Sequence, residues 1–93
     1  MTSRITQIDD HAGSTRTLRV EGTLRLADAE LLEAAYQELR HTHHGSIAID
    51  LAGTSFLDSE SASVLCRLKE SGVELIGLHF FIQRLIEAAE NAQ

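Results

Sequence analysis

The sequence has no tryptophan and no proline, and it has one cysteine among 93 residues. Cys66 has no second cysteine with which to form an internal disulfide, and this fits a protein of the reducing cytoplasm. Basic residues are also few, because eight Lys and Arg stand against fourteen Asp and Glu, for a formal net charge of −6. This balance argues against nucleic-acid binding and against a polybasic membrane patch.

Long apolar runs are missing as well. No stretch approaches the roughly 20 apolar residues of a membrane-spanning helix, and the first ten residues, "MTSRITQIDD", lack the apolar core of a signal peptide. The chain also has no P-loop and no G-x-G-x-x-G motif, so no cofactor is expected. At this length we interpret residues 1–93 as a single domain with a modest core.

Apolar periodicity predicts four strands and three helices. The strands are expected near 4–8, 17–22, 46–51 and 73–77, and the helices near 28–43, 59–71 and 79–89, the first of them capped by Asp28. Helical spacing predicts the side chains that face the core. They are Leu31, Leu32, Ala35 and Leu39 in the first helix, Val64, Leu65 and Leu68 in the second, and Phe81, Ile82, Leu85, Ile86 and Ala89 in the third. Cys66 is expected on a flank of the second helix.

The element order β-β-α-β-α-β-α indicates an α/β fold with parallel neighbours and right-handed crossovers. Parallel strands that are covered on both faces read as continuous apolar runs, whereas these strands alternate. We therefore expect one open face of the sheet, bearing Arg19, Glu21, Asp50 and Glu74. The prediction is a two-layer β/α superhelix, with a four-stranded, mostly parallel sheet in sequential order and helices on one face.

The stretch "TSFLDSES", residues 54–61, joins the third predicted strand to the second helix. Asp58 or Ser59 is expected at the N-cap, where a side-chain oxygen accepts hydrogen bonds from the free N–H groups of the first turn. Capping alone would explain the pair. The same helix end could hold a phosphate on Ser59, because its N–H groups and the helix dipole favour negative charge.

A longer segment, "IAIDLAGTSFLDSESASVL", resembles the core motif of STAS domains, the family of sulfate transporters and anti-sigma factor antagonists. The matching residues are Asp50, Leu51, Gly53, Phe56, Leu57, Asp58 and Ser59. The resemblance implies a non-enzymatic regulatory domain with Ser59 as phosphoacceptor and a kinase-type anti-sigma factor as partner. The implied partner-binding residues are Phe56, Leu57, Asp58, Glu60, Ser61 and Ser63.

Two other functions remain open from the sequence. The family pattern Asp-Ser-Ser-Gly-Leu-Gly here reads Asp-Ser-Glu-Ser-Ala-Ser, from Asp58 to Ser63, without either glycine. A constitutive STAS accessory subunit, as in phospholipid-transporting ABC complexes, would bind a transporter ATPase without phosphorylation. A receiver-like domain would use Asp50 or Asp58 as phosphoacceptor, and the strand alternation disfavours it.

The cluster "HTHH", residues 41–44, could suggest a metal site. Imidazole side chains at the C-terminal end of a helix interact favourably with its last carbonyl groups, and this explains the cluster without a metal. No Cys or carboxylate lies at ligand spacing nearby. We expect no metal site and no catalytic residues.

Overall fold

The structure, a computed structural model, describes residues 3–9, 14–43 and 45–91. The predicted order of elements is found. The elements are β1 (Arg4–Asp9), β2 (Thr15–Leu24), α1 (Leu26–Thr42), β3 (Ser46–Leu57), α2 (Ser59–Glu70), β4 (Glu74–Ile76) and α3 (Phe80–Asn91). Most of the segment that joins β1 to β2 lies outside the described residues.

The four strands form one sheet in the sequential order β1-β2-β3-β4. The β2–β3 and β3–β4 pairs are parallel, as expected for strands joined by helices. The β1–β2 pair is antiparallel, so the sheet is mixed rather than parallel throughout. The short connection between β1 and β2 explains the difference, because a parallel pair needs a crossover of a dozen or more residues.

One hydrophobic core lies between the sheet and the helices. Leu18 and Val20 of β2 and Ile49 and Leu51 of β3 are buried in it, together with side chains of α1, α2 and α3. Charged residues alternate with Leu18 and Val20 in β2. Of the four charged residues expected on the open face, Arg19, Glu21 and Glu74 are exposed and Asp50 is half-buried. The apolar side of the sheet is thus the side that the helices cover.

Helix α1 differs in two details from the sequence prediction. It begins at Leu26, so Asp28 is its third residue rather than its cap, and the carboxylate accepts a hydrogen bond from the Arg25 N–H at 3.1 Å. Leu31 is 65% exposed, whereas Leu32 and Tyr36 are buried. Adjacent residues of a helix point about 100° apart, so Leu31 is turned away when Leu32 faces the core.

Two predictions about α2 and α3 are also wrong. Cys66 is buried rather than on an open flank, because α3 covers that side of α2 and the Cys66 thiol lies 3.4 Å from the Ile86 carbonyl oxygen. Phe81 is 44% exposed. The buried line of α3 runs through Ile82 and Ile86, and Phe81 lies about 100° from it.

Strand β3 continues through Leu57, six residues beyond the predicted end. Its pairing with β2 contains two register shifts, and at each of them β3 advances by one extra residue. Leu51, Thr54 and Leu57 are consequently buried at a spacing of three. A bulge of this kind breaks the alternation of two that identifies a strand in sequence, so the segment resembled a loop.

Candidate protein-binding surface at the start of helix α2

Asp58 is the N-cap of α2. Its backbone is extended, at φ −85° and ψ 170°, and its Oδ1 accepts a hydrogen bond from the Ser61 N–H at 2.8 Å. This answers the question that the sequence left open between Asp58 and Ser59. Because Asp58 satisfies the first turn of the helix, Ser59 is not needed as a cap.

The capping contact predicts a pH dependence of stability. Hydrogen bonding from Ser61 lowers the pKa of Asp58, burial opposes this, and the Arg25 charge adds to the lowering. A carboxyl whose pKa is lowered by folding stabilises the protein above its unfolded pKa, and this contribution is lost as the pH falls through the folded pKa. Asp58→Asn keeps a capping oxygen but does not titrate.

We expect Asp58→Asn to be less stable than wild type at neutral pH, and the difference should shrink as the pH falls through the lowered folded pKa of the Asp58 carboxyl, which then becomes protonated. Urea unfolding of both proteins at several pH values measures it. A difference that stays constant with pH would contradict the assignment of Asp58 as an ionised cap.

Two of the residues predicted to contact a partner belong to the core instead. Ser61 is fully buried, and its hydroxyl donates a hydrogen bond to the Leu24 carbonyl oxygen at 3.1 Å. Leu57 is also buried, opposite Leu24 in the β2–β3 pairing. Their side chains hold the surface in place and are not offered to a partner.

Ser59 is the exposed first residue of α2. Within the described parts of the chain its hydroxyl makes no hydrogen bond, although its carbonyl oxygen accepts one from the Ser63 hydroxyl at 3.3 Å. Exposed Glu60 follows it. A groove of about 260 Å³ begins here and runs to α3, lined by Ser59, Glu60, Ser63, Leu85, Ala88 and Ala89.

Phe56 gives the surface an aromatic side chain. It is 44% exposed, and the Arg25 guanidinium lies 5.5 Å from the centre of its ring, within the range of a cation–π contact. Arg25 was missed by the sequence reasoning, because it is far from Phe56 along the chain. The parallel pairing of β2 with β3, which sets Thr23 opposite Phe56 and Leu24 opposite Leu57, brings the two together.

The residues considered for a metal site and for a receiver-like aspartate have other contacts in the described part of the chain. Among residues 3–9, 14–43 and 45–91, no three His, Cys, Asp or Glu side chains gather closely enough to hold a metal ion. His44 lies outside the described residues, and the Nε2 of His43 is 3.3 Å from the Ser14 carbonyl oxygen. Asp50 is engaged by Arg19 at 3.5 Å and by the Ala52 N–H at 2.9 Å.

Comparison with known families agrees with this layout. The family profile described as "Mlab, STAS domain" matches residues 8–91. The chain belongs to the STAS domain family. This STAS domain is similar to the crystal structure of an antisigma-factor antagonist STAS domain from Rhodobacter sphaeroides, with 26% sequence identity and a TM-score of 0.61. The match covers 81% of this chain and 86% of the other.

A search of curated proteins finds no match for this STAS domain. In the described part of the chain, no helix has both the length and the apolar character that crossing a bilayer requires.

Proposed function

We propose that this STAS domain is a non-catalytic regulatory protein of the cytoplasm, which binds a protein partner through the α2-start surface. We define this surface by Phe56, Asp58, Ser59, Glu60 and Ser63. We further propose that phosphorylation of Ser59 switches the binding off. The observation that carries the proposal is the exposed Ser59 hydroxyl, which makes no hydrogen bond within the described chain while Asp58 caps the helix.

The charges around Ser59 favour a switch that weakens binding. A phosphate brings close to two negative charges, and it would stand beside Glu60 and Asp58. The Ser61 N–H is already bonded to Asp58, so fewer backbone donors of the first turn remain to compensate the new charge. A partner that packs against Phe56 and the groove would have to desolvate that charge, which costs free energy.

The similarity to a solved family member supports the proposed class of partner. The similar solved domain is an antisigma-factor antagonist, which supports a kinase-type anti-sigma factor as the partner and kinase of this chain. Incubation with such a kinase and ATP should add one phosphate to the wild type. Mass spectrometry should place the phosphate on Ser59, and Ser59→Ala should remove it whereas Ser63→Ala should not.

Binding of Ser59 variants tests the switch. Ser59→Asp should weaken the complex by roughly 1–3 kcal/mol, because it buries a charge in the interface. Ser59→Ala should bind like wild type and, since Asp58 is the cap, should change the free energy of unfolding by less than about 0.5 kcal/mol. Calorimetric titration and urea unfolding measure the two quantities. Equal affinity of Ser59→Asp and wild type would remove the switch.

A second function has its own support. The matching family profile is described as "Mlab, STAS domain", and Glu60 already puts a negative charge beside Ser59 in the unmodified protein. Both suit a constitutive accessory subunit of a phospholipid-transporting ABC complex. In that case Ser59→Asp should leave binding unchanged, and the protein should co-purify with a transporter ATPase rather than with a serine kinase.

A further inference from the structure

The exposed side of α3 carries two of the three phenylalanines in the chain. Phe80 is 75% exposed and Phe81 is 44% exposed, and the Arg84 guanidinium lies 5.6 Å from the centre of the Phe80 ring. With Leu85 these residues line one hollow, which we name the α3 aromatic patch. Large aromatic side chains on a surface mark sites of protein association.

The α3 aromatic patch lies next to the groove between α2 and α3. Leu85 lines both, and the groove continues along α3 past Ala88 and Ala89. The first half of α3 therefore projects large rings, whereas its second half offers small side chains beside a hollow. Projecting and receiving surfaces on one helix are complementary when a second copy of the helix runs in the opposite direction.

We propose that two copies of this chain associate through antiparallel α3 helices, with each α3 aromatic patch packing into the groove of the other copy. Such an interface is isologous, so one contact made twice closes the dimer. A crossing centred on Leu85 brings Phe81 of one copy towards Ala89 of the other. This association does not depend on the proposed function.

The charges on α3 fit a second copy of the chain. Arg84 and Glu87 are both exposed, and because they lie three residues apart they are neighbours on the surface of α3, with Arg84 in the patch and Glu87 beyond its edge. In the antiparallel arrangement each Arg84 lies opposite Glu87 of the second copy, so both pairs are of opposite sign. An anionic membrane surface would instead require a cluster of basic residues, and this chain carries a net charge of −6.

The association would cover part of the α2-start surface, because Ser59, Glu60 and Ser63 line the same groove as Ala88 and Ala89. A copy seated in the groove and a protein partner bound at Ser59 would exclude each other. Self-association would then block partner binding until a partner competes for the groove.

Sedimentation velocity of the full chain over an about hundredfold range of concentration tests the proposal. The expected result is a concentration-dependent shift from the 10.2 kDa monomer towards twice that mass. Phe81→Asp should raise the dissociation constant by at least about tenfold. The variant should stay folded, because an acidic residue in the first turn of a helix suits the dipole. Leu31→Glu is the matched control. Leu31 is an exposed apolar residue of α1, away from α3, so this variant should leave the dissociation constant unchanged.

Charge reversal tests the antiparallel arrangement. Arg84→Glu should raise the dissociation constant about threefold or more, and the double variant Arg84→Glu with Glu87→Arg should restore it. A monomer at every concentration overturns the proposal. So does a dimer that Phe81→Asp leaves intact, or one that Leu31→Glu weakens equally. Failure of the double variant to recover overturns the antiparallel contact.

Discussion

Replacement of Gly77 by alanine is expected to lower the free energy of unfolding by about 2–4 kcal/mol. Gly77 has a φ of +69°, which L-residues with a side chain rarely adopt. A Cβ at this position would lie 2.5 Å from the Asp50 Oδ1 and 2.8 Å from the Ala52 nitrogen. The Ala52 N–H donates a hydrogen bond to this Asp50 oxygen. The added methyl group would therefore disrupt a hydrogen bond, and the backbone conformation would be strained as well.

Gly72→Ala is the matched control. Gly72 also has a positive φ, of +106°, but a Cβ there would have no neighbour within 4 Å. The free energy of unfolding of Gly72→Ala should therefore fall by only about 1 kcal/mol, which is the cost of the backbone conformation alone. Urea unfolding of both variants isolates the cost of the contact with Asp50. Equal losses would show that the loop after β4 relaxes away from β3.

Replacement of Ile82 by alanine is expected to cost about 2–5 kcal/mol, because Ile82 is fully buried between α3 and the core. It should also expose Cys66. Burial raises the pKa of the Cys66 thiol, and the charges of Glu90 and Glu70 raise it further, so little reactive thiolate exists in the folded protein. Loosening α3 removes the cover that Ile86 provides.

Labelling of Cys66 by a thiol reagent measures this opening. We expect the rate for Ile82→Ala to rise by at least about tenfold, as the open form becomes more populated. Gln83→Ala is the control in the same helix, since Gln83 is exposed and lies outside the α3 aromatic patch, so it should alter neither stability nor labelling. A labelling rate unchanged in Ile82→Ala would mean that α3 does not protect the thiol.

The regular part of the fold was predictable from alternation. Leu18 and Val20, and likewise Ile49 and Leu51, alternate with polar or small residues in the sequence, and they form the apolar side of the sheet in the structure. The parallel pairs followed from the intervening helices, because a crossover connection imposes that direction. Alternation carries no information about the direction of β1, which is set instead by the short β1–β2 connection, because that connection is too short for a parallel crossover.

The start of α2 was predictable only in part. The acidic and hydroxyl residues marked a helix end. Whether Asp58 or Ser59 is the cap depends on which of the two is the last residue with an extended backbone, and the sequence does not define this. The burial of Ser61 depends on the Leu24 carbonyl, which is distant in sequence. Phe81 was assigned inward because helical spacing gives a direction within about 100° and leaves the edge of the core undefined.

The hydrogen bonds to the Leu24 carbonyl oxygen limit the movement of the surface that a partner would bind. It accepts hydrogen bonds from the Asp58 N–H at 3.4 Å and from the Ser61 hydroxyl at 3.1 Å. The end of β2 and the first turn of α2 are thus fastened at one atom, a single residue before the Arg25 cap of α1. A partner that meets Ser59 meets a surface with little freedom to rearrange. Its association should resemble rigid docking, with rates set by diffusion and orientation rather than by a slow conformational step.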